Sequence, residues 1–255
     1  MSEAQPLDAQ LAEHGAQSLD LRFTDLLGAW RHLSIEAGAV DPDRLDRLCL
    51  FDGSAVPGWR DIVESDLQLL PDPARAWADP FTAQPTLTCI ADVVDPATKE
   101  GYERCPRSAL KRVVDEVRDG GLADAVLVAA DFGFHVFDHL ELGRSPHGLG
   151  FKATVARDDA MHQPAYLAGQ PEDDLADLRA EMTQVLASLG VTGLTHVRLR
   201  GRGQCEIRFG PTPAVQMADQ LQLARYVVDN VARAYGKVAS FLPLPLPGGA
   251  GSGLH

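Results

Sequence analysis

Pro106-Arg-Ser-Ala-Leu-Lys-Arg-Val-Val-Asp-Glu-Val-Arg-Asp119 places Leu110, Val113, Val114 and Val117 at i, i+3, i+4 and i+7. That spacing lines one face of a helix, so the stretch is expected to be amphipathic and helical. Pro106 suits a first helical turn, and Gly120-Gly121 supplies the stop. The chain before it reads differently. From Leu19 to Pro96, Leu21-Arg-Phe-Thr, Trp30-Arg-His-Leu-Ser and Thr86-Leu-Thr-Cys-Ile alternate or are rich in aromatic and branched residues, as strands are. Turn signals separate them at Asp52-Gly, Pro57-Gly, Pro71-Asp-Pro and Asp79-Pro. The first fifteen or so residues fit a short helix or a loose arm.

Beyond the helix, strands alternate with helices. Val126–Phe137 reads as a strand, about Asp174–Leu189 as a helix and His196–Arg200 and Cys205–Phe209 as strands. About Pro213–Tyr235 reads as a further helix closed by Gly236. The expected class is therefore α+β or α/β, with a natural cut near residues 95–107. Composition bounds the rest. The 255 residues are 45% hydrophobic and 23% charged, enough for a substantial core. A net charge of −13 argues against nucleic acid or an anionic membrane as partner. No apolar run approaches the ~20 residues of a bilayer span, and the first residues lack a signal-peptide pattern. Cys49, Cys89, Cys105 and Cys205 lie far apart without a C-x-x-C pair, which fits reduced thiols. A cytoplasmic location is the expectation.

Three stretches carry candidate chemistry. In Asp131-Phe-Gly-Phe-His-Val-Phe-Asp138 a strand puts Asp131, Gly133, His135 and Phe137 on one face, where an acid and an imidazole can meet a cation. A strand-end aspartate with a half-buried histidine is the commoner meaning. Arg198, Arg200 and Arg202 would line one face of a continued strand, a stripe able to hold phosphate or carboxylate, although an exposed strand face with ordinary salt bridges is the favoured reading. Glu206 follows inside an apolar strand, where a carboxylate needs a cation or a donor. Pro243-Leu-Pro-Leu-Pro-Gly-Gly-Ala-Gly-Ser-Gly-Leu-His255 offers glycine amides to an anion but has no P-loop ending. By composition alone a flexible tail is the better reading.

A series of motifs in register resembles the glutamine synthetase family from about Leu19 to His255. Phe51-Asp-Gly-Ser-Ala, Val63-Glu-Ser-Asp66, Leu70-Pro-Asp-Pro73 and Asp92-Val-Val-Asp-Pro come first. Asp177-Leu-Arg-Ala-Glu-Met182, Gly203-Gln-Cys-Glu-Ile207 and Met217-Ala-Asp follow, and Gly236-Lys-Val-Ala-Ser-Phe-Leu-Pro and Gly251-Ser-Gly-Leu-His255 close the set. The resemblance implies an arm over residues 1–18, a β-grasp-like domain over 19–104 and part of an α/β barrel-like catalytic domain over 105–255. It also implies assembly in rings and ATP-dependent ligation of ammonia to glutamate with two Mg²⁺ or Mn²⁺ ions. Hard cations of that kind need oxygen ligands.

Carried over position by position, the resemblance assigns metal ligation to Asp131, Glu206 and His255, substrate binding to Gly251 and the ammonium-binding carboxylate to Asp52. This sequence departs from the pattern at several of these places. The family's E-x-E pair becomes Asp131 and Gly133, a further glutamate position is Arg198, and Ala55, Leu244 and Ala250 replace a serine, a lysine and an asparagine. Arg198 is accordingly expected to replace a metal beside Asp131 and Glu206. The family's remaining barrel strands, phosphate-binding arginines and a further metal ligand fall beyond the G-S-G-x-H segment. Together these changes give the expectation of a chain that is catalytically deficient alone. It would act in a homo-oligomer or by joining a full-length glutamine synthetase, with Asp52 completing a neighbour's site. Two alternatives remain: a glutamate–ammonia or amine ligase completed by another chain, and a module that binds an anion.

Overall fold

The computed structural model describes residues 4–41, 45–145, 148–155 and 166–255. The chain forms two compact units, Met1–Val126 and Leu127–His255. In the first, helix α1 (Leu7–Glu13) precedes strands β1 (Ser18–Thr24) and β2 (Trp30–Glu36). A short helical turn α2 (Leu45–Leu48), β3 (Leu50–Asp52), β4 (Asp66–Ala78), β5 (Thr86–Val94) and helix α3 (Pro106–Asp119) follow. The strands form one sheet in the order β2-β1-β5-β4-β3. Only β1 and β5 run parallel; the other neighbours are antiparallel.

The amino-terminal stretch is a helix from Leu7, because Leu7 and Leu11 fall one turn apart and both enter the core with Leu19, Leu21, Leu67, Leu69 and Leu87. Of the expected arm, residues 1–3 lie outside the described residues. Pro71-Asp72-Pro73 is not a turn between strands. It lies within β4, where the register against β5 shifts between Pro71 and Ala76. Proline cannot donate to a sheet ladder, and an irregularity is where a strand tolerates it. Helix α3 packs against β5 within the first unit.

The opposite face of β1 is polar although buried. Asp20 accepts hydrogen bonds from Arg22 Nε (2.9 Å), His32 Nδ1 (2.7 Å) and Ser34 Oγ (2.6 Å), and Arg22 donates onward to Asp79 (2.8 Å). Burial by itself raises the Asp20 carboxyl, but the bonds from Ser34, His32 and Arg22 outweigh it and hold it below its ordinary value. A depressed carboxyl stabilises the fold above its unfolded pKa, and that stability is lost as pH falls through the folded value. Thermal melts from neutral pH down to about pH 3 should therefore show acid destabilisation of the first unit. Asp20→Asn should flatten that acid limb and cost about 1–3 kcal/mol near neutrality.

In the second unit β6 (Leu127–Phe137) is followed by a separate hairpin, β7 (His139–Ser145) and β8 (Gly148–Thr154). Helix α4 (Ala176–Ser188), β9 (Thr195–Arg198), β10 (Gln204–Pro213), helix α5 (Ala214–Ala234) and β11 (Val238–Ser240) complete it. The larger sheet has the order β11-β6-β10-β9, all antiparallel, so the class is α+β. Buried Phe134, Ile207 and Phe209 of the strands and Leu178, Met182, Val227 and Val231 of α4 and α5 form its core. Among the described residues no helix is long and apolar enough to cross a membrane.

Candidate functional site

Alternation along β6 brings Asp131, Gly133 and His135 to one face of the sheet. Their partners on β10 are Arg208, Glu206 and Gln204, in that order. Directly opposed residues share a face, so two carboxylates and one guanidinium converge. Glu206 is 8% exposed and accepts a 2.6 Å bond from Arg208 Nε; Asp131 Oδ1 is 3.8 Å from the same nitrogen. The Glu206 carboxylate, as acceptor, raises the Arg208 guanidinium above its ordinary value. The cation that Glu206 needs is therefore a side chain two residues along its own strand.

The other side of β6 is taken by the segment Gly251–His255. Asp131 N donates to His255 O (2.8 Å), His255 N to Asp131 O (3.0 Å) and Gly133 N to Gly253 O (2.9 Å). This close approach explains Gly133. A Cβ there would lie 2.5 Å from Ser252 Oγ and 2.9 Å from Gly253 O. The stretch is thus an ordered edge rather than a loose tail. Gly251 O accepts a 2.6 Å bond from Gln204 Nε2, and the same Gln204 holds Gly201 N through Oε1 at 2.8 Å.

The structure unites Asp131, Glu206 and the backbone of His255, and leaves Arg198 elsewhere. Arg198 is paired with Cys205, which is paired in turn with Phe134, and these belong to the opposite face from Glu206. Its Nη1 donates to Glu172 O (3.1 Å) and to Asp174 Oδ1 (3.1 Å). The guanidinium beside Glu206 and Asp131 is that of Arg208, which the sequence reading passed over. Its signal was present: i+2 along a strand returns to the same face. Asp52 belongs to the first unit, at the end of β3, where its exposed carboxylate accepts from Ser54 N (2.8 Å) and Ser54 Oγ (2.6 Å). Those bonds hold it below the ordinary carboxylate range, so it is ionised at neutral pH.

The pair of divalent ions that the resemblance implies fits these residues poorly. Two carboxylates already share an arginine, and the third position on their face is a glycine covered by Ser252 and Gly253. Among the described residues no group of three or more His, Cys, Asp or Glu is placed to hold a metal.

Models of the two family domains match the chain: the glutamine synthetase β-grasp domain over residues 15–96 and the glutamine synthetase catalytic domain over 103–255. The chain belongs to the glutamine synthetase family. Glutamine synthetase of Rhizobium meliloti is 36% identical over 270 residues, covering 100% of this chain and 58% of the relative. That of Vibrio cholerae is 38% identical over 261 residues, covering 96% and 56%, and that of Escherichia coli is 37% identical over 265, with the same coverage. The chain therefore spans a little over half the length of these relatives. Among solved structures, Plasmodium falciparum glutamine synthetase superposes with a TM-score of 0.86 at 19% identity, covering 100% of this chain and 54% of that one. A GmaS/ADP complex gives 0.80 at 23% identity, covering 98% and 54%. At those identities the superpositions establish the glutamine synthetase fold alone. The catalytic-domain match begins at residue 103, whereas the compact units part after Val126, so α3 falls in the first unit.

Proposed function

We propose that this chain is a cytoplasmic glutamine synthetase-family protein that does not by itself ligate ammonia to glutamate, and that it acts by interaction with a complete homologue. The observation that carries this reading is Arg208, whose Nε lies 2.6 Å from Glu206 and 3.8 Å from Asp131. A guanidinium there neutralises the acids that a divalent ion would need, and it cannot polarise a phosphoryl oxygen as a metal does. Asp52, ionised and held by Ser54, supports the interaction part, since it is the carboxylate a neighbouring subunit would receive. Its Ser54 bonds fix the carboxylate without burying it.

Titration with Mn²⁺ tests the metal half. The parent chain is expected to bind Mn²⁺ weakly, and Arg208→Ala to bind at least about tenfold more tightly, one charge-assisted hydrogen bond of about 1.5 kcal/mol having been removed. Tight Mn²⁺ binding by the parent would instead favour an active ligase completed by another chain, a reading that Asp131 and Glu206 keep open. Native mass spectrometry of material from its source tests the other half. A mixed assembly with a longer homologue is expected, and a chain found only with itself would defeat that part.

A further inference from the structure

Strand β2 is one edge of the first unit's sheet, and β3, which carries Asp52, is the other. We infer that two copies of this chain pair antiparallel through their β2 edges, about a two-fold axis at Leu33, joining their five-stranded sheets into one. The inference goes beyond the proposed function and does not depend on it, because it leaves the β3 edge and Asp52 to a different neighbour.

The phase of the β1–β2 ladder says which main-chain groups face outward. Ala37 N donates to Gln17 O at 2.9 Å and Asp25 N to Ala29 O at 3.0 Å. Both bonds continue the register that pairs Ser18 with Glu36 and Thr24 with Trp30. Bonded pairs in an antiparallel ladder recur at every second residue. Arg31, Leu33 and Ile35 therefore bond to β1, and the N–H and C=O groups of His32, Ser34 and Glu36 point away from it. No strand among the described residues takes them up. Such an edge is usually guarded by a bulge, a proline or a projecting charge. Here the register runs unbroken over seven residues without a proline. Two of the charges are tied back: Arg31 Nε donates to Asp25 at 2.8 Å, and His32 Nδ1 is 2.7 Å from Asp20.

A second copy suits this edge because β2 is complementary to itself. Centred on Leu33, the antiparallel register sets His32 opposite Ser34 of the other copy, Arg31 opposite Ile35 and Trp30 opposite Glu36. Outward groups then meet outward groups, no like charges oppose each other, and Glu36 lies diagonal to His32. Leu33 meets its own counterpart at a non-bonded pair, where side chains approach most closely. It packs on the core yet stays only half-buried, and a strand laid along β2 covers what β1 leaves open. A pairing of this length stays below the ~1,000 Å² of a standard interface, so micromolar association is expected.

Sedimentation equilibrium of the full chain over about 1–200 µM tests it. The 27.4 kDa chain should reach the mass of a dimer within that range. Glu36→Pro should weaken the association at least about tenfold, since it deletes one outward N–H from each copy. Glu36 already has φ −60°, which proline adopts, so the fold is kept. Cysteine crosslinking reads the register itself. Leu33→Cys should give a disulfide-linked dimer on mild oxidation, whereas Arg31→Cys, whose counterpart is Ile35 and not itself, should not. The native cysteines are all buried and leave that background low. A chain that stays monomeric throughout, an assembly indifferent to Glu36→Pro, or equal crosslinking of the two cysteine variants would overturn the inference.

Discussion

Replacing Arg179 with alanine is expected to cost about 3–5 kcal/mol of the second unit's stability. Arg179 is 2% exposed and its partner Asp173 4%. Nη1 of Arg179 donates to Asp173 Oδ1 at 3.1 Å, and Nη2 donates to Oδ2, giving a bidentate pair. The same Nη1 lies 3.7 Å from Cys205 Sγ on β10, so one guanidinium ties the approach to α4 to the sheet beneath it. Alanine would leave the buried Asp173 carboxylate with a 3.2 Å bond from Leu175 N and only a distant cation, Arg198 Nη1 at 3.9 Å. The cost arises from that poorly compensated charge more than from the lost attraction, because a buried pair gains little over well-packed apolar groups. Asp173→Leu combined with Arg179→Met should therefore recover most of the loss. Urea denaturation of the full chain followed by helical circular dichroism reads the effect. Tryptophan fluorescence does not, since Trp30, Trp59 and Trp77 all lie in the first unit. A loss below about 1 kcal/mol would mean that the pair is hydrated rather than dry.

The same residues show what a sequence discloses and what it withholds. Periodicity is a property of one element, and it placed α3, α4, α5, β6 and β10 to within a few residues. The hairpin β7–β8 and the three-residue β11 were not foreseen, because neither carries a pattern that differs from its surroundings. Sheet register is a property of two elements at once, and here the candidate site escaped. Arg198, Arg200 and Arg202 alternate in sequence, but β9 ends at Arg198 and the chain turns at once, so the stripe never forms. Arg198 goes to the helical face to meet Asp174, and Arg200 and Arg202 go to a pocket wall. The place expected for Arg198 is filled from β10 instead, by Arg208. The lost acids and gained arginines were legible in the sequence; which arginine lies beside Glu206 and Asp131 required the pairing of β10 with β6.

Gly203→Ala should be the most damaging single methyl group in the second unit, at roughly 2–6 kcal/mol. Two independent terms act there. Gly203 has φ +63°, a left-handed conformation that an L side chain resists. A Cβ would also strike the carbonyl oxygen of Val136, which is backbone near the end of β6, paired there with β11, and cannot swing aside. The approach is close because Val136 N donates to Gly203 O at 2.8 Å, bringing the end of the arginine turn onto β6. Gly236 separates the two terms. It has φ +67° but nothing within 4 Å of an added Cβ, so Gly236→Ala should show the conformational cost alone, about 1–2 kcal/mol. A clearly larger loss at Gly203 than at Gly236, in urea melts of the two variants, would measure the collision with Val136. Equal losses would mean that the turn can retreat from β6. In that case the turn carrying Arg200 and Arg202 would be movable, and the bonds from Gln204 to Gly201 N and Gly251 O would be the contacts that hold it.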